Sequence, residues 1–502
     1  MAASSQNKMS SQIALPIQPP QKRTRRLLQP HNLPHILRAA TDLINGANNR
    51  NSFNLPDDII ENIFSFLPIK HGVKIGVVSK RFKTSWLFSR KLLFDRDFAR
   101  PLSRHDFISI VNRVFDSHTG SKIQCLRLYF DPTGSEFMVL NWIKKSTEKG
   151  VEELDLDFLQ ARDPFNLPWN FLDVESVRIL KLWYCVINFP TQLKGLRLLS
   201  TVILRKVDLN QTLIETLIQH CALLETLDLT QCDGIRELKV LAGTLKRFKV
   251  LKVGNCFDMF KIDIDSPTLQ SLYYHGPVRD LKVANPSQLK DVMLNFTPSK
   301  GFIRSSQVEN LVSDISRITL FTTTSTFLEG LTTRIREGVF RDLHYCFWNL
   351  KEFQLFMEGA SYCNLCDIAS FLAKCPRIEK LFIDLNEFSF ECGLYWELHQ
   401  KQLLDKYSAF FYCLKFIKVK GFKFQKHELE LVRYFLGKAL LLKTLVLVFP
   451  RNGRVTTINP PEIPIYNSLF LSWKVSPNAK IVIYEHFNDR SSFHPKQSKI
   501  WF

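Results

Sequence analysis

Between Asn54 and Trp86 apolar and polar residues alternate with a helical period. Ile59, Ile60, Ile63, Phe64 and Leu67 recur at three- and four-residue steps and form one broad apolar stripe. Leu55 and Pro56 open the stretch. Asp57 and Asp58 follow in the first turn, where proline costs least and negative charge suits the helix dipole. Pro68 ends that helix. A second helical segment carries Val73, Val77, Val78, Phe82 and Trp86, with Lys74, Lys80, Arg81 and Lys83 between them. About 40 residues cannot bury so much apolar surface unaided. The stripe must either pack on the rest of the chain or offer part of itself to a partner.

From residue 123 onward the pattern changes to apolar-x-x-apolar-x-apolar, often with a cysteine three residues later. The clearest copies are Leu224, Leu227, Leu229 and Cys232; Phe248, Leu251, Val253 and Cys256; and Val177, Leu180, Leu182 and Cys185. Weaker copies start at Ile123, Val151, Leu199, Leu269, Leu289, Ile315, Leu350, Ile378, Leu414 and Leu442. Start-to-start intervals run from about 20 to about 36 residues, most below about 28, which matches a leucine-rich repeat. The apolar-x-apolar pair reads as a short strand with both side chains on one face. The cysteine turns inward at the corner, where a small, weakly hydrogen-bonding side chain suits a buried bend. Stretches such as Asn210 to Cys221 read as helical returns. The expected fold is α/β: a helical module, then a solenoid with parallel strands on its concave face.

The stretch LPDDIIENIFSFLPIKHGVKIGVVSKRF resembles an F-box in its plant form, with two Leu-Pro pairs flanking a helix and then Val-Ser-Lys-Arg. The resemblance implies docking onto the Skp1 subunit of a cullin-RING ubiquitin ligase. It places Leu55, Pro56, Ile59, Ile60, Ile63, Leu67, Pro68, Val78, Ser79, Lys80 and Trp86 at contact or support positions. Relatives usually carry Trp after Ser-Lys-Arg; here Phe82 keeps an aromatic, so docking is expected to survive. The plain alternative is a helical hairpin packed on its own domain. Tyr412 to Phe449 resembles the FBD segment that closes many plant F-box/leucine-rich-repeat proteins, and reads independently as strand, Gly421, helix, strand. The expected division is a disordered basic arm over 1–50, the F-box over 51–95, a helical linker over 96–122, repeats over 123–411, the FBD-like segment closing the solenoid over 412–450, and a C-terminal tail over 451–502 whose last residues are loose.

The repeat blurs over 298–307 and 322–347. An aromatic insertion from Asn386 to Tyr412 carries Phe388, Phe390, Tyr395 and Trp396. Such an insertion is either a rim loop for a partner or padding between degenerate repeats.

Composition adds little. The 502 residues carry 67 Lys+Arg against 48 Asp+Glu, a net charge of +19. The positive residues are spread and no nucleic-acid motif accompanies them, so a solvated basic surface is expected rather than a nucleic-acid partner. The cluster Lys22, Arg23, Thr24, Arg25, Arg26 fits an import signal or chance, and the expected address is nucleus and/or cytoplasm. No run of about 18 apolar residues occurs, so no membrane partner is expected. Of 11 cysteines only Cys363 and Cys366 make a C-x-x-C pair, with a lone Cys375 nearby, so neither a zinc site nor any other cofactor is expected. No nucleophile elbow, P-loop or metalloprotease motif is present. Asp155 and Asp157 share one face of a strand, flank the inward Leu154 and Leu156, and face solvent or a partner. No catalytic residue is expected.

The function expected from these features is a non-catalytic substrate-recognition adaptor of a Skp1–cullin–F-box ligase. Its partners would be a Skp1-like protein, cullin through it, and an unknown target protein. Exposed strand positions such as Lys181, Arg205, Asp228, Lys252 and Tyr273 would contact the target. The alternative is a repeat scaffold, or a receptor for a small anion, acting outside any ligase.

Overall fold

The computed structural model describes residues 56, 59, 62–63, 65, 67–78, 83–187, 193–241, 243–277, 280–296, 305–331, 346–357, 363–386, 388, 404, 410–450 and 463–497. The basic arm, Leu55, Ile60, Ser79, Lys80 and most of the aromatic insertion lie outside the described residues. The chain divides into two compact units. One is Ile17–Leu227 with Cys232–Gly234; the other centres on Ile235–Phe502 with Asp228–Gln231.

In the first unit helix α1 (Ile69–Val78) and a 3-10 turn (Ser85–Phe88) precede five parallel strands: β1 (Lys91–Phe94), β2 (Cys125–Tyr129), β3 (Glu153–Asp157), β4 (Ile179–Trp183) and β5 (Thr201–Arg205). The registers align Leu92, Leu126, Leu154, Leu180 and Val202 in one inward row. All five are buried, and each contributes about 2 kcal/mol of burial. Helices α2 (Arg104–Ser117), α3 (Glu136–Glu148) and α4 (Gln211–His220) form the returns. The Ser103 side chain caps α2 by accepting from Asp106 N, and Asn210 caps α4 by accepting from Leu213 N at 2.7 Å.

The stack begins earlier than the repeat pattern indicates. The segment expected to end the helical module supplies β1, because Leu92 and Phe94 alternate at strand spacing and pair with β2. Helix α2 is therefore a return between two strands rather than a linker.

The second unit carries its own parallel ladder. Its strands are β6 (Val250–Gly254), β7 (Ser271–Gly276), β8 (Asp291–Phe296), β9 (Leu320–Thr324), β10 (Glu352–Phe356), β11 (Lys380–Asp384), β12 (Phe416–Lys420), β13 (Thr444–Val448) and β14 (Lys480–Tyr484). Later returns are helical: α5 (Ser305–Ile315), α6 (Ser325–Leu331), α7 (Leu365–Ala373), α8 (Lys426–Lys438) and α9 (Ile463–Trp473). Earlier ones are not. Glu237–Val240, Lys261–Asp265 and Asp280–Ala284 pair as a separate three-stranded parallel sheet. Their alternating apolar residues, Leu238/Val240, Ile262/Ile264 and Leu281/Val283, are buried and carry the period of a strand.

The FBD-like segment is a strand, a helix and a strand, β12–α8–β13. Gly421 follows β12 with φ +74°, and an added Cβ would stand 2.5 Å from Asn386 N, so only glycine fits. The segment does not close the ladder, because β14 pairs in parallel beyond β13.

The corners share one device. Tyr184, Lys206, Gln231 and Asn255, each the residue directly after a strand, have φ of 61°, 51°, 53° and 52°. This left-handed step turns the chain, and the next residue but none, Cys185, Val207, Cys232 or Cys256, drops into the core. Cys232 Sγ donates to Leu204 O at 3.3 Å, which serves the inward corner expected of the repeat cysteines.

Candidate functional site

The helical module separates inward support from an open face. Ile59 N donates to Pro56 O at 3.1 Å, starting the first turn. Pro68 pairs with Lys91 as a parallel bridge, and its carbonyl accepts from His71 N at 2.8 Å, so the proline that ends one helix begins the next. Leu67 and Ile69 point inward. Gly72 lets Trp86 approach α1: an added Cβ would stand 3.2 Å from the Trp86 Cβ. Ile59 and Val73 are each 43% exposed. Of the positions named from the family pattern, Leu67 is buried, Ile63, Pro68 and Trp86 are half-buried, Pro56 and Ile59 are open, and Val78 is the last residue of α1.

The module is stitched to the strands that follow. Ser89 Oγ donates to Leu67 O at 2.7 Å, and Arg90 N to Ser65 O at 2.9 Å. His118 Nε2 lies 2.9 Å from Ser89 O and donates to it, which leaves Nδ1 as the acceptor for Lys149 Nζ at 2.8 Å. Lys149 also donates to His118 O at 2.7 Å and Gly120 O at 3.2 Å. Burial, and then the Lys149 ammonium, hold the His118 pKa below its ordinary value against the raising effect of the Ser89 carbonyl. Ser89, His118 and Lys149 are far apart in sequence and meet only through the fold.

The outward strand face of the first unit is a charge lattice. Arg127 Nε donates to Asp155 at 2.9 Å, and Lys181 Nζ to Glu153 at 2.7 Å. Arg96 pairs with Asp157 at 3.2 Å and lies over Tyr129. Arg205 lies over the Trp183 ring at 4.7 Å. Burial pushes the Asp155 carboxyl up, while Arg127 and Lys181 pull it back only in part. The carboxylates read as open to solvent or a partner are therefore half-buried and already paired within the chain.

In the second unit Tyr273 Oη donates to Asp291 Oδ2 at 2.7 Å, and Lys252 Nζ sits 5.3 Å from the Tyr273 ring centroid. Thr230 Oγ1 donates to Asp228 Oδ1 at 3.0 Å. The five expected target positions are unequal. Lys181, Arg205 and Lys252 are half-buried, but Asp228 is only 4% and Tyr273 only 8% exposed. The expectation of open side chains fails at these two, because neighbouring rows of the face bond them in place.

The tail also departs from expectation. Residues 489–497 are not loose but engage Lys418, Phe416, Gln354 and Asp291 on the outward face of the second unit. Of the four aromatics singled out in the insertion only Phe388 is described, and it is buried; at the insertion's end Phe411 is buried while Phe410 and Tyr412 are exposed. Cys363, Cys366 and Cys375 are buried. Among the described residues no group of three or more His, Cys, Asp or Glu could hold a metal ion, and no helix is long and apolar enough to cross a membrane.

The F-box domain family matches residues 52–93, and the family described as At1g61320/AtMIF1, LRR domain, matches residues 114–460. In Arabidopsis thaliana the chain is 33% identical over 431 residues to the putative FBD-associated F-box protein At1g61330, covering 84% of this chain and 96% of that one. It is 32% identical over 457 residues to the FBD-associated F-box protein At1g61320, covering 88% and 99%. The putative F-box/FBD/LRR-repeat protein At5g44960 is 24% identical over 85% of this chain and 98% of its own.

Proposed function

The chain belongs to the plant F-box/leucine-rich-repeat family with an FBD-like region, and on that premise we propose that it is the substrate-recognition adaptor of a Skp1–cullin–F-box ubiquitin ligase. The F-box module would hold Skp1 and, through it, cullin. The strand faces would hold the target. Members of this family are generally non-catalytic adaptors, and the mechanism is tethering: a target held near a charged enzyme is presented at raised effective concentration.

One observation carries this reading. Among the described residues Ile59 and Val73 are open on a module in which Leu67 and Ile69 are spent on its own packing. Large apolar side chains left outside a core beside others packed inside it mark an interaction face.

Pull-down with Skp1 and cullin tests it. Ile59→Asp with Val73→Asp is expected to abolish capture while leaving the melting temperature unchanged. Leu67→Asp should lose both capture and stability, because that side chain is inward. Undiminished capture by the folded Ile59/Val73 variant would leave a repeat scaffold or small-anion receptor as the better reading.

A further inference from the structure

Beyond Tyr484, where β14 ends, the chain passes a 3-10 turn at His486–Asn488 and runs back over the strand face of its own unit. The Lys418 ammonium meets Asp489, donates to Ser491 Oγ at 2.7 Å and lies 3.4 Å from His494 Nδ1. Phe493 sets its edge against Phe416 with ring centroids 5.1 Å apart, and Lys380 Nζ stands 4.5 Å from its centroid. Lys496 pairs with the Asp291 carboxylate, and Gln497 N donates to Gln354 Oε1 at 3.2 Å. The tail thus crosses β12, β11, β10 and β8.

What it covers is mixed: Phe382 and Phe416 belong to an apolar cluster, and polar groups lie beside them. Strand register places Met293, Thr322, Gln354, Phe382 and Lys418 in one outward row. Lys418 is only 1% exposed, and Thr322, Gln354 and nearby Asp291 are buried. A buried ammonium is costly unless charged and hydrogen-bonding partners meet it, and here the tail supplies them. Without the tail the same groups would face water, which satisfies them as well. Among the described residues the tail's aromatic anchor on this face is Phe493, which stays 42% exposed. An apolar patch ringed by polar and charged contacts, under a half-open aromatic, is the composition of an exchangeable interface rather than of a core.

We propose that this face is a peptide-binding surface and that the tail is its tethered internal ligand. The partner it fits is an extended segment of another protein presenting a carboxylate, an aromatic ring and a basic side chain with the spacing of Asp489, Phe493 and Lys496. The carboxylate takes Lys418, the ring lies between Phe416 and Lys380, and the base takes Asp291. A short tether holds a segment at an effective concentration on the order of millimolar, so weak competitors are excluded and a better-matched segment displaces the tail. This deepens the adaptor reading, and rests on it only for the use made of the bound segment.

Anisotropy of a labelled peptide of residues 485–497, titrated with the full chain, involves neither Skp1 nor cullin, so its outcome is separate from that of the ligase test. The full chain carrying Phe493→Ala and Lys496→Ala holds its tail less firmly and is expected to bind the peptide at least about ten-fold more tightly than the unaltered chain. Adding Asp291→Asn should remove most of that gain, as should alanine at the peptide's aromatic position. Equal binding by altered and unaltered chains, or equal binding of a scrambled peptide, overturns the proposal. Should the double variant not fold, hydrogen exchange on the unaltered chain decides. Amides of 489–497 exchanging about ten-fold faster than those of 416–420 support a tail that leaves by itself, and equal protection overturns it.

Discussion

His118 donates its Nε2 proton to the carbonyl of Ser89 at 2.9 Å, and this bond fastens the end of the F-box module to the turn that follows α2. The geometry requires a neutral ring, since Nδ1 accepts from Lys149. Because the folded pKa is depressed, the unfolded chain takes up the proton first as pH falls below about 6.5. The stability contributed by neutral His118 is therefore complete above that value and lost as pH falls through the folded one. Limited proteolysis at Lys83–Arg90 should accelerate between pH 7.5 and 5.5. His118→Gln, whose amide donates without titrating, should flatten that dependence.

Glu428 gives the opposite sign. It is buried at the start of α8, where its carboxylate accepts from Lys423 N at 2.6 Å and Gln425 N at 3.2 Å. Burial prevails over these bonds and pushes its pKa up from 4.5 to about 6. A raised carboxyl pKa means stability falls as pH rises through that window, by about 2 kcal/mol. Glu428→Gln keeps an acceptor without the charge. It should raise the urea midpoint at pH 7.5 and leave it unchanged near pH 4.5.

Gly421→Ala should cost about 3 kcal/mol, from the left-handed backbone and the forced approach to Asn386 N together. Thermal melts read this directly. Gly437→Ala is the control: inside α8 an added Cβ would stand no closer than 4.0 Å to any atom outside the helix backbone, so it should stabilise slightly.

The corner cysteines Cys185 and Cys232, and Cys221 at the end of α4, should behave as packing atoms. Burial pushes the Cys221 thiol up to about 12 and Cys185 higher still. Native alkylation at Cys185, Cys221 and Cys232, followed by peptide mass spectrometry, should run at least about 100-fold slower than in urea. Fast labelling at Cys232 in the native chain would contradict the corner role.

Local periodicity made much of this fold legible. The module's stripe, the strand cores at Leu180/Leu182 and Leu251/Val253, the return at Gln211–His220 and the strand–helix–strand at Phe416–Val448 all announce themselves through spacing. What stayed hidden depends on encounters between distant segments. Lys91–Phe94 is too short to declare itself until Cys125–Tyr129 pairs with it. Tyr273 alternates like an open position but is closed by Asp291 on the adjoining strand. Lys418 meets a partner 71 residues further along, and Lys496 one 205 residues back. No window of sequence contains both ends of such a contact.

The left-handed corners have a consequence for how this chain can vary. Only the backbone at Tyr184, Lys206, Gln231 and Asn255 is prescribed, at about 1 kcal/mol for each residue other than glycine. Their side chains are half-buried or exposed. A tyrosine, a lysine, a glutamine and an asparagine thus perform the same bend. Each is a site where surface chemistry can drift without disturbing the strands of its own unit.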